Sequence, residues 1–439
     1  MFPNKEEKQK ALINENNYKL FKGFFDEVLN HFRTAEDRQN KREIIINMCE
    51  TISTVFADLL FLEEPDFFFS DDNIGEKLEE IVIRNDFKVK LWDAAISQSW
   101  GGRAIFEVRL EDGEAMIEEI SPDVVFPQYN KTNIKAPPLQ IIFAWYVKIL
   151  DKNYLLKKVH NVGFIEYELW LCESKRGDPK FRVPLSLYDP NLQEIEQTGL
   201  DKIPVFMANN PKDPKSLDGV SDYQGLYSLL EELTRVSSQI ATQLEKHADA
   251  KLMVPSGVLD QNGQAQNSNL EMIEIDSDDG MTPEYLTNSN SLIDSAFKQK
   301  KEIIEDIARV SEISFILLDL ASAGGVQKDE TFAESAARTM AKVKRKRKTF
   351  VKLIRETLAF SYEIETKKKI PLSGIAVKFH DGLPENQARK VQIEADRMAA
   401  GIQSRRDAVK NLDNIDGEIL DDKIEEIEKQ EDSLVNTAF

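Results

Sequence analysis

Two hydrophobic periods divide this chain, and they restrict its fold more than any single motif does. From Arg103 to about Phe206 the sequence runs as short β-type segments: RAIFEVRL, EAMIEEI, VVFPQY, LQIIFAWYVKIL, NYLLKKVH, FIEYELWLC and FRVPLSL. On both sides of this block the apolar residues recur at helical spacing. Glu111-Asp112-Gly113 separates the first two segments as a hairpin turn would. Consecutive strands joined by short turns pair antiparallel, because parallel neighbours need a long crossover. The expected class is therefore α+β, with the sheet inserted between helical regions.

The helical regions are long. Residues 5–64 read as helical, with Leu20, Phe21, Phe24, Phe25, Val28, Leu29 and Phe32 on one stripe. A second run covers Arg42 to Phe61 and stops near Pro65, and a third closes at Gly101-Gly102. After the β block comes a connector rich in Pro, Gly, Asn and Asp, ANNPKDPKSLDGVS. Ser221 or Asp222 is expected to cap a helix over 222–248, with Tyr223, Leu226, Leu230, Leu233, Ile240 and Leu244 as its stripe. Short strands at Leu252–Val254 and Met272–Ile275 follow, then an acidic, turn-rich stretch to 290. A helix resumes over about Ser291 to Ile313, and residues 314–330 interrupt it with an apolar patch and Ala323-Gly324-Gly325. The longest helix is expected over Thr331 to Thr366, with a strand at Ile375–Phe379 after it. From Glu385 the chain is helical and charged; residues 403–439 hold 5 basic and 11 acidic side chains.

With 439 residues the chain is too long for one ordinary core. Its formal net charge is −20, which argues against coating nucleic acid by neutralising phosphate. Two distant cysteines, Cys49 and Cys172, make no disulfide framework. The polar start lacks the apolar region of a signal peptide, and no apolar run reaches the roughly 18 residues of a membrane span. A protein made and kept in a cytoplasm is the expectation, without a membrane.

Catalytic signatures are missing. His31, His160, His247 and His380 have no partner at metal-ligand spacing. Ala323-Gly324-Gly325-Val326-Gln327-Lys328 lacks phosphate-loop spacing and a preceding strand. Asp276-Ser277-Asp278-Asp279-Gly280 resembles half a calcium loop but lacks the closing glutamate. No enzyme activity, cofactor or metal is expected. The basic run Lys342, Lys344, Arg345, Lys346, Arg347 and Lys348 sits in mid-helix. Its members point around the whole helix, so they form either a solvated or acid-paired seam, or a contact to DNA phosphate.

The order of elements resembles phage portal proteins of siphophage type over roughly residues 40–430. Asn209-Asn210-Pro211 to Gly219-Val220-Ser221-Asp222 resembles that family's approach to its first stem helix. The stretch YQGLYSLLEELTRVSSQIATQLEKHADAKLMVPSG is similar to its helix leading into the clip. Gly401-Ile402-Gln403-Ser404, Ala408-Val409 and Asp413 to Glu428 resemble its C-terminal tail. The resemblance implies a portal fold: a helix-rich wing with an antiparallel β region over 1–221, stem helices over 222–248 and 291–313, and a small α/β clip over 249–290. It further implies a tunnel loop over 314–330, a long wing helix and return strand over 331–384, and a helical crown over 385–439.

The implied function is a ring-shaped channel at the head vertex of a virion, assembled in the host cytoplasm, for DNA packaging, retention and ejection. The implied partners are twelve copies in a homo-oligomeric ring, the packaging motor (terminase), head–tail adaptors, major capsid and scaffolding proteins, and double-stranded DNA. Ser322, Gly324, Gly325, Gln327 and Lys328 in the loop, with Lys298, Lys300 and Lys301 on the stem, would face that DNA. The alternative is a head–tail adaptor or other structural capsid protein without a DNA channel; a metal-dependent nucleic-acid enzyme is a more distant one.

Overall fold

The computed structural model describes residues 3–29, 43–130, 132, 136–174, 177–210, 218–248, 252–255, 272–275, 284–285, 290–318, 329–380, 387–413, 423–425 and 427. The chain divides into two units, Met1–Asp381 and Gly382–Phe439.

The first unit opens with helix α1 (Lys5–Phe21), started by a capping box. Asn4 Oδ1 accepts from Glu7 N–H at 2.9 Å, and a Glu7 carboxylate oxygen accepts from Asn4 N–H at 2.6 Å. Two of the orphan donors of a helix start are thereby satisfied. Helix α2 (Met48–Phe61) starts on Asn47 and buries Ile52, Phe56, Ala57 and Leu60. Strand β1 (Asp66–Phe69) leads into α3 (Asp72–Arg84), capped by Asp71, and α4 (Phe87–Gly101) follows. Helix α4 is buried along most of its second half, because α2, α1 and a sheet cover it from different sides.

That sheet has three strands in the order β10-β2-β3, formed by β2 (Arg103–Glu111), β3 (Glu114–Glu119) and β10 (Val205–Asn209). The turn between β2 and β3 takes φ of 52° at Asp112 and 88° at Gly113, as a two-residue hairpin of native twist requires. The outer edge of β3 is closed by side chains. The Asn85 amide accepts from Ile117 N–H at 2.7 Å and donates to Ala115 O at 2.9 Å, reproducing the pattern of a neighbouring strand. Glu365 accepts from Ala115 N–H, and Lys90 donates to Ile117 O.

The second sheet runs β4 (Val125–Gln128), β5 (Gln140–Ile149), β6 (Lys152–His160), β7 (Phe164–Cys172) and β8 (Pro179–Val183), with β9 (Ile195–Gln197) on β7; the pairings are antiparallel. The period-2 pattern sorts its residues as the pleat demands. Leu155 and Val159 pack with Phe126, Ile142 and Ala11 of α1, whereas Tyr154 and Leu156 pack with Leu169 and Leu185. Ile105, Val125, Ile141, Phe143 and Val205 join the two sheets.

Helices α5 (Tyr227–Ala248) and α6 (Asn290–Ser311) form an antiparallel pair, each about 33 Å long. A Gln299–Glu232 hydrogen bond of 3.2 Å ties the pair midway, and Gly225 lies against Val310 at its base. Between the two helices, β11 (Leu252–Pro255) pairs parallel with β12 (Met272–Ile275) and antiparallel with β13 (Glu284–Tyr285). The short α7 (Phe315–Leu318) precedes α8 (Asp329–Thr366), 38 residues and about 57 Å long. Its buried face, Val343, Phe350, Leu353, Ile354 and Leu358, covers the three-stranded sheet and α2. Phe350 meets Phe61 edge-on at 4.9 Å, and Phe360 meets Phe206 at 5.3 Å. Strand β14 (Ile375–Lys378) then returns to pair antiparallel with β1.

In the second unit, α9 (Gln387–Ala399) and α10 (Arg405–Asp413) are joined at Gly401, whose φ of 69° ends α9 in the left-handed region. Ser404 Oγ accepts from Asp407 N–H at 3.1 Å and starts α10.

The sequence expectations differ from this fold in particular places. Helix α3 and strand β1 had no counterpart among them, nor did β9, β10 and β13. The helix expected from residue 222 begins at Tyr227, because Asp222 turns inward to a buried partner instead of capping. The 30–42 portion of the first helical region lies outside the described residues.

Candidate functional site

The expected channel elements are only partly among the described residues. Ser322, Gly324, Gly325, Gln327 and Lys328 lie outside them, as do most of the residues between the strands of 249–290. The three stem lysines are described, all on α6. Lys298 and Lys301 are exposed and share one face, three residues apart. Lys300 is half-buried, on the side of Ile303 and Ile307, which pack toward α5. Lys301 Nζ stands 5.9 Å from the ring of Phe315 in α7, so one stem lysine sits beside the segment that opens the 314–330 stretch.

What the structure does define is the root of the long helices. Asp222 is fully buried, and its carboxylate receives Lys342 Nζ at 2.7 Å on one oxygen and Lys346 Nζ at 2.8 Å on the other. Asn210 Nδ2 donates to the same carboxylate at 2.9 Å. Lys342 also donates to Ser311 O, the last residue of α6, at 2.7 Å, and Lys346 donates to Gln98 Oε1 of α4 at 3.2 Å. Both ammonium groups lie over the Phe56 ring, at 4.3 and 5.1 Å. Asp222 N–H donates to Ser99 O at 2.8 Å. One knot therefore fastens α2, α4, the 210–222 connector, the end of α6 and the middle of α8.

Lysines four residues apart on a helix share a face, which is why one carboxylate can hold both. Burial pushes the Asp222 carboxyl upward, but the two ammonium groups outweigh it and hold the group well below the usual carboxylate range. Two cations facing one anion leave an excess positive charge, which the carbonyl of Ser311, the Gln98 amide oxygen and the Phe56 ring face absorb.

The connector reaches this knot through a close backbone crossing. A Cβ on Gly219 would stand 1.6 Å from Gly102 O, and one on Gly102 would stand 2.6 Å from Gly219 O. Only glycine at both places lets the chain pass. Arg103 beside them holds Asp218 at 2.8 Å, and Lys10 of α1 pairs with the same carboxylate.

The basic run of α8 thus splits into different roles. Lys342 and Lys346 form the acid-paired seam that the sequence allowed. Arg345 pairs with Glu312 at 2.6 Å, and Arg347 donates to the carbonyls of Leu59, at 3.0 Å, and His380. Lys344 and Lys348 are exposed. The partners Gln98, Asn210 and Asp222 had no distinguishing local pattern. The one available signal was the pair of lysines at i and i+4 inside an otherwise apolar helical stripe.

A second polar group lies between the sheets. Lys158 Nζ meets Glu107 at 2.5 Å, both buried, and His160 is fully buried against Phe143 at 4.6 Å. Burial first, then the charges of Lys158 and Arg109, lower the His160 pKa to about 2, so the ring is neutral although Glu107 lies 3.5 Å away. Among the described residues, no cluster of three or more His, Cys, Asp or Glu is placed to hold a metal ion. Among the same residues, no helix is long and apolar enough to cross a membrane.

No curated protein matches the chain in sequence. Among solved structures, it is similar to a chain in the virion of a native gene transfer agent particle, at 12% identity, covering 83% of this chain and 89% of that one, with a TM-score of 0.44. It is similar to a chain in the neck of an empty particle of that kind, computed with C6 symmetry (12% identity, 84% and 90% covered, TM-score 0.45). A third is in the neck of the native particle, computed with C12 symmetry (11% identity, 86% and 97% covered, TM-score 0.42). Residues 4–436 match the model of a family of phage portal proteins. The chain belongs to that family, described as "Phage portal protein, SPP1 Gp6-like", which is structural in character.

Proposed function

We propose that this chain is the repeating subunit of a ring-shaped channel at a virion head vertex, through which DNA is packaged, retained and ejected. The match to the portal family over residues 4–436 carries this reading. The geometry fits it: a long helix pair and a longer single helix share one buried root, so each subunit has extended helical faces to present to neighbours. Residues 1–221 and 331–384 are the wing, 222–248 and 291–313 the stem, 249–290 the clip, 314–330 the tunnel loop and 385–439 the crown. The ring has twelve subunits and closes head to tail. The clip serves the packaging motor and head–tail adaptors, and capsid and scaffolding proteins surround the wing. The motor, not this chain, hydrolyses nucleotide.

A channel of chains bearing −20 each repels phosphate and lets DNA slide. Lys298, Lys301 and Lys328, repeated around a ring, add weak contacts that fade with salt. Native mass spectrometry with negative-stain imaging tests the reading: a ring with an open centre, near twelve times 50.2 kDa, is expected. A chain that stays monomeric with every head and tail partner added would overturn it. Deleting 314–330 should leave the ring intact and stop DNA packaging, whereas normal packaging would sink the loop assignment.

A further inference from the structure

Between Ser335 and Arg355, α8 carries nine basic residues and no acidic one, in a chain whose net charge is −20. The inward-facing cations are neutralised: Lys342 and Lys346 by Asp222, Arg347 by carbonyls, and Arg355 by Ile375 O at 2.7 Å. Of the outward ones, Arg345 is paired with Glu312 at 2.6 Å, and among the described residues the rest stand apart from any close acid. Arg338, Lys344 and Lys348 are exposed and have no ion-pair partner among the described residues. Lys352, 70% exposed, has only Glu356 at 3.7 Å. Lys344, Lys348 and Lys352 stand at i, i+4 and i+8, on one face at steps of about 6 Å. Three like charges so placed repel one another, and among the described residues Glu356 is the one acid near any of them.

The complementary surface is on α3. Glu76, Glu79 and Glu80 are exposed on one side of that helix; only Glu80 has a partner among the described residues, Lys77 at 2.8 Å. On the same side Ile83, a large apolar side chain, leaves 75% of its surface exposed. The two surfaces cannot meet within one chain. Helix α3 is fixed at the far end of α8, where Lys77 and Arg84 both pair with Glu365. Glu365 lies 13 residues, about 20 Å, beyond Lys352 and still farther from Lys344. Complementary surfaces held apart on one rigid body define a head-to-tail contact between copies.

We propose that the Lys344–Lys348–Lys352 face of α8 docks on the Glu76–Glu79–Glu80 face of α3 in a second copy of this chain, and that this pairing fixes the head-to-tail direction of subunits in the ring. The inference rests on the ring reading above. A second copy, not nucleic acid, is the favoured occupant. Chains at −20 repel each other as they repel phosphate, so copies associate only where a local cationic face meets a local acidic one.

The test uses two full-length variants. In the first, Lys344, Lys348 and Lys352 are changed to Glu; in the second, Glu76, Glu79 and Glu80 are changed to Lys. All six side chains are exposed or half-exposed, so circular dichroism and the thermal midpoint should stay those of the wild type. Each variant alone should need at least about a hundred-fold higher concentration to form rings, since like charges then face each other. Mixed one to one, they should form alternating rings, because every contact again joins opposite charges; native mass spectrometry reads the composition directly.

Rings formed by either variant alone at wild-type concentration, or no rings from the mixture, would overturn the contact while leaving the channel reading standing. A wild type that forms no ring under any condition removes both. Normal assembly by the first variant, with loss of salt-sensitive retention of a DNA duplex, would identify the lysine face as a nucleic-acid contact instead and overturn this proposal.

Discussion

Replacing Asp222 by Asn keeps the shape of the buried knot and removes the anion that Lys342 and Lys346 share. Lys342 and Lys346 then remain in a site with 3% and 0% of their surfaces exposed. Removing one partner of a buried ion pair costs about 3–5 kcal/mol, chiefly because the charge left behind is unsolvated. Two ammonium groups depend on this carboxylate, which places the expected loss near ~4 kcal/mol or above. A unit of about 380 residues unfolds with an entropy of about 0.8 kcal/mol/K, so the thermal midpoint should fall by about 5 °C. Calorimetry at neutral pH and matched concentration reads this directly.

The pH dependence carries a sign. The folded-state pKa of Asp222 lies below its ordinary value of 3.8, so the carboxylate stabilises the fold above that value and its contribution is lost as pH falls further. The gap between wild type and Asp222→Asn should therefore be widest near neutrality and narrow below about pH 4. Replacing all three charges, Asp222→Leu with Lys342→Met and Lys346→Met, should recover much of the loss, because an apolar cluster of similar volume has no charge to desolvate. A shift under about 1 °C for Asp222→Asn would refute the reasoning, as would a triple variant less stable than the single one.

Other consequences can be measured with the same methods. Phe350→Ala should cost about 3–5 kcal/mol, since the ring is fully buried against Phe61; guanidinium unfolding checks it. Asn85→Ala should cost about 1–3 kcal/mol and raise aggregation on warming, because it unpairs Ile117 N–H and Ala115 O and opens the β3 edge. Gly219→Ala should abolish soluble folded protein, given the 1.6 Å approach to Gly102 O, whereas alanine at the uncrowded Gly401 should only loosen the end of α9. His160 takes up a proton near pH 6.5 when unfolded and only at about 2 when folded. Wild-type stability should therefore fall with acid below pH 6.5, by up to about 1.4 kcal/mol per pH unit from this group, and His160→Phe should flatten that slope.

The parts of the fold legible in sequence were those written in a local period. The strands from RAIFEVRL to FIEYELWLC lie within a residue or two of β2 to β7, because alternation and turn residues mark them without reference to distant partners, whereas FRVPLSL runs four residues past β8 into a 3-10 turn at Leu185–Leu187. The ends of α6 and α8 were equally local. Helix α3 escaped because DNIGEKLEEIVIR spreads only Leu78, Ile81 and Val82 as buried anchors among charges. Strand β1 escaped because its one partner, β14, lies some three hundred residues away, and four residues carry no period of their own. Charge was least legible of all. A run of six basic residues reads as one feature in sequence, yet helical geometry sends neighbours in opposite directions, two into the core and three into solvent. No local pattern tells Asp222, which anchors that core, from the other carboxylates of so acidic a chain.

The knot at Asp222 also decides where load would concentrate. The α5–α6 pair is a cantilever about 33 Å long, built in at one end. A sideways push near Ala248 or Asn290 bends little along the shaft, where every turn is hydrogen-bonded, and delivers its largest moment to the built-in end. There the resisting elements are short charged contacts and a glycine crossing with no slack. The pair should swing as a stiff beam about its mounting, and its stiffness is governed by residues a full helix length from where the force is applied.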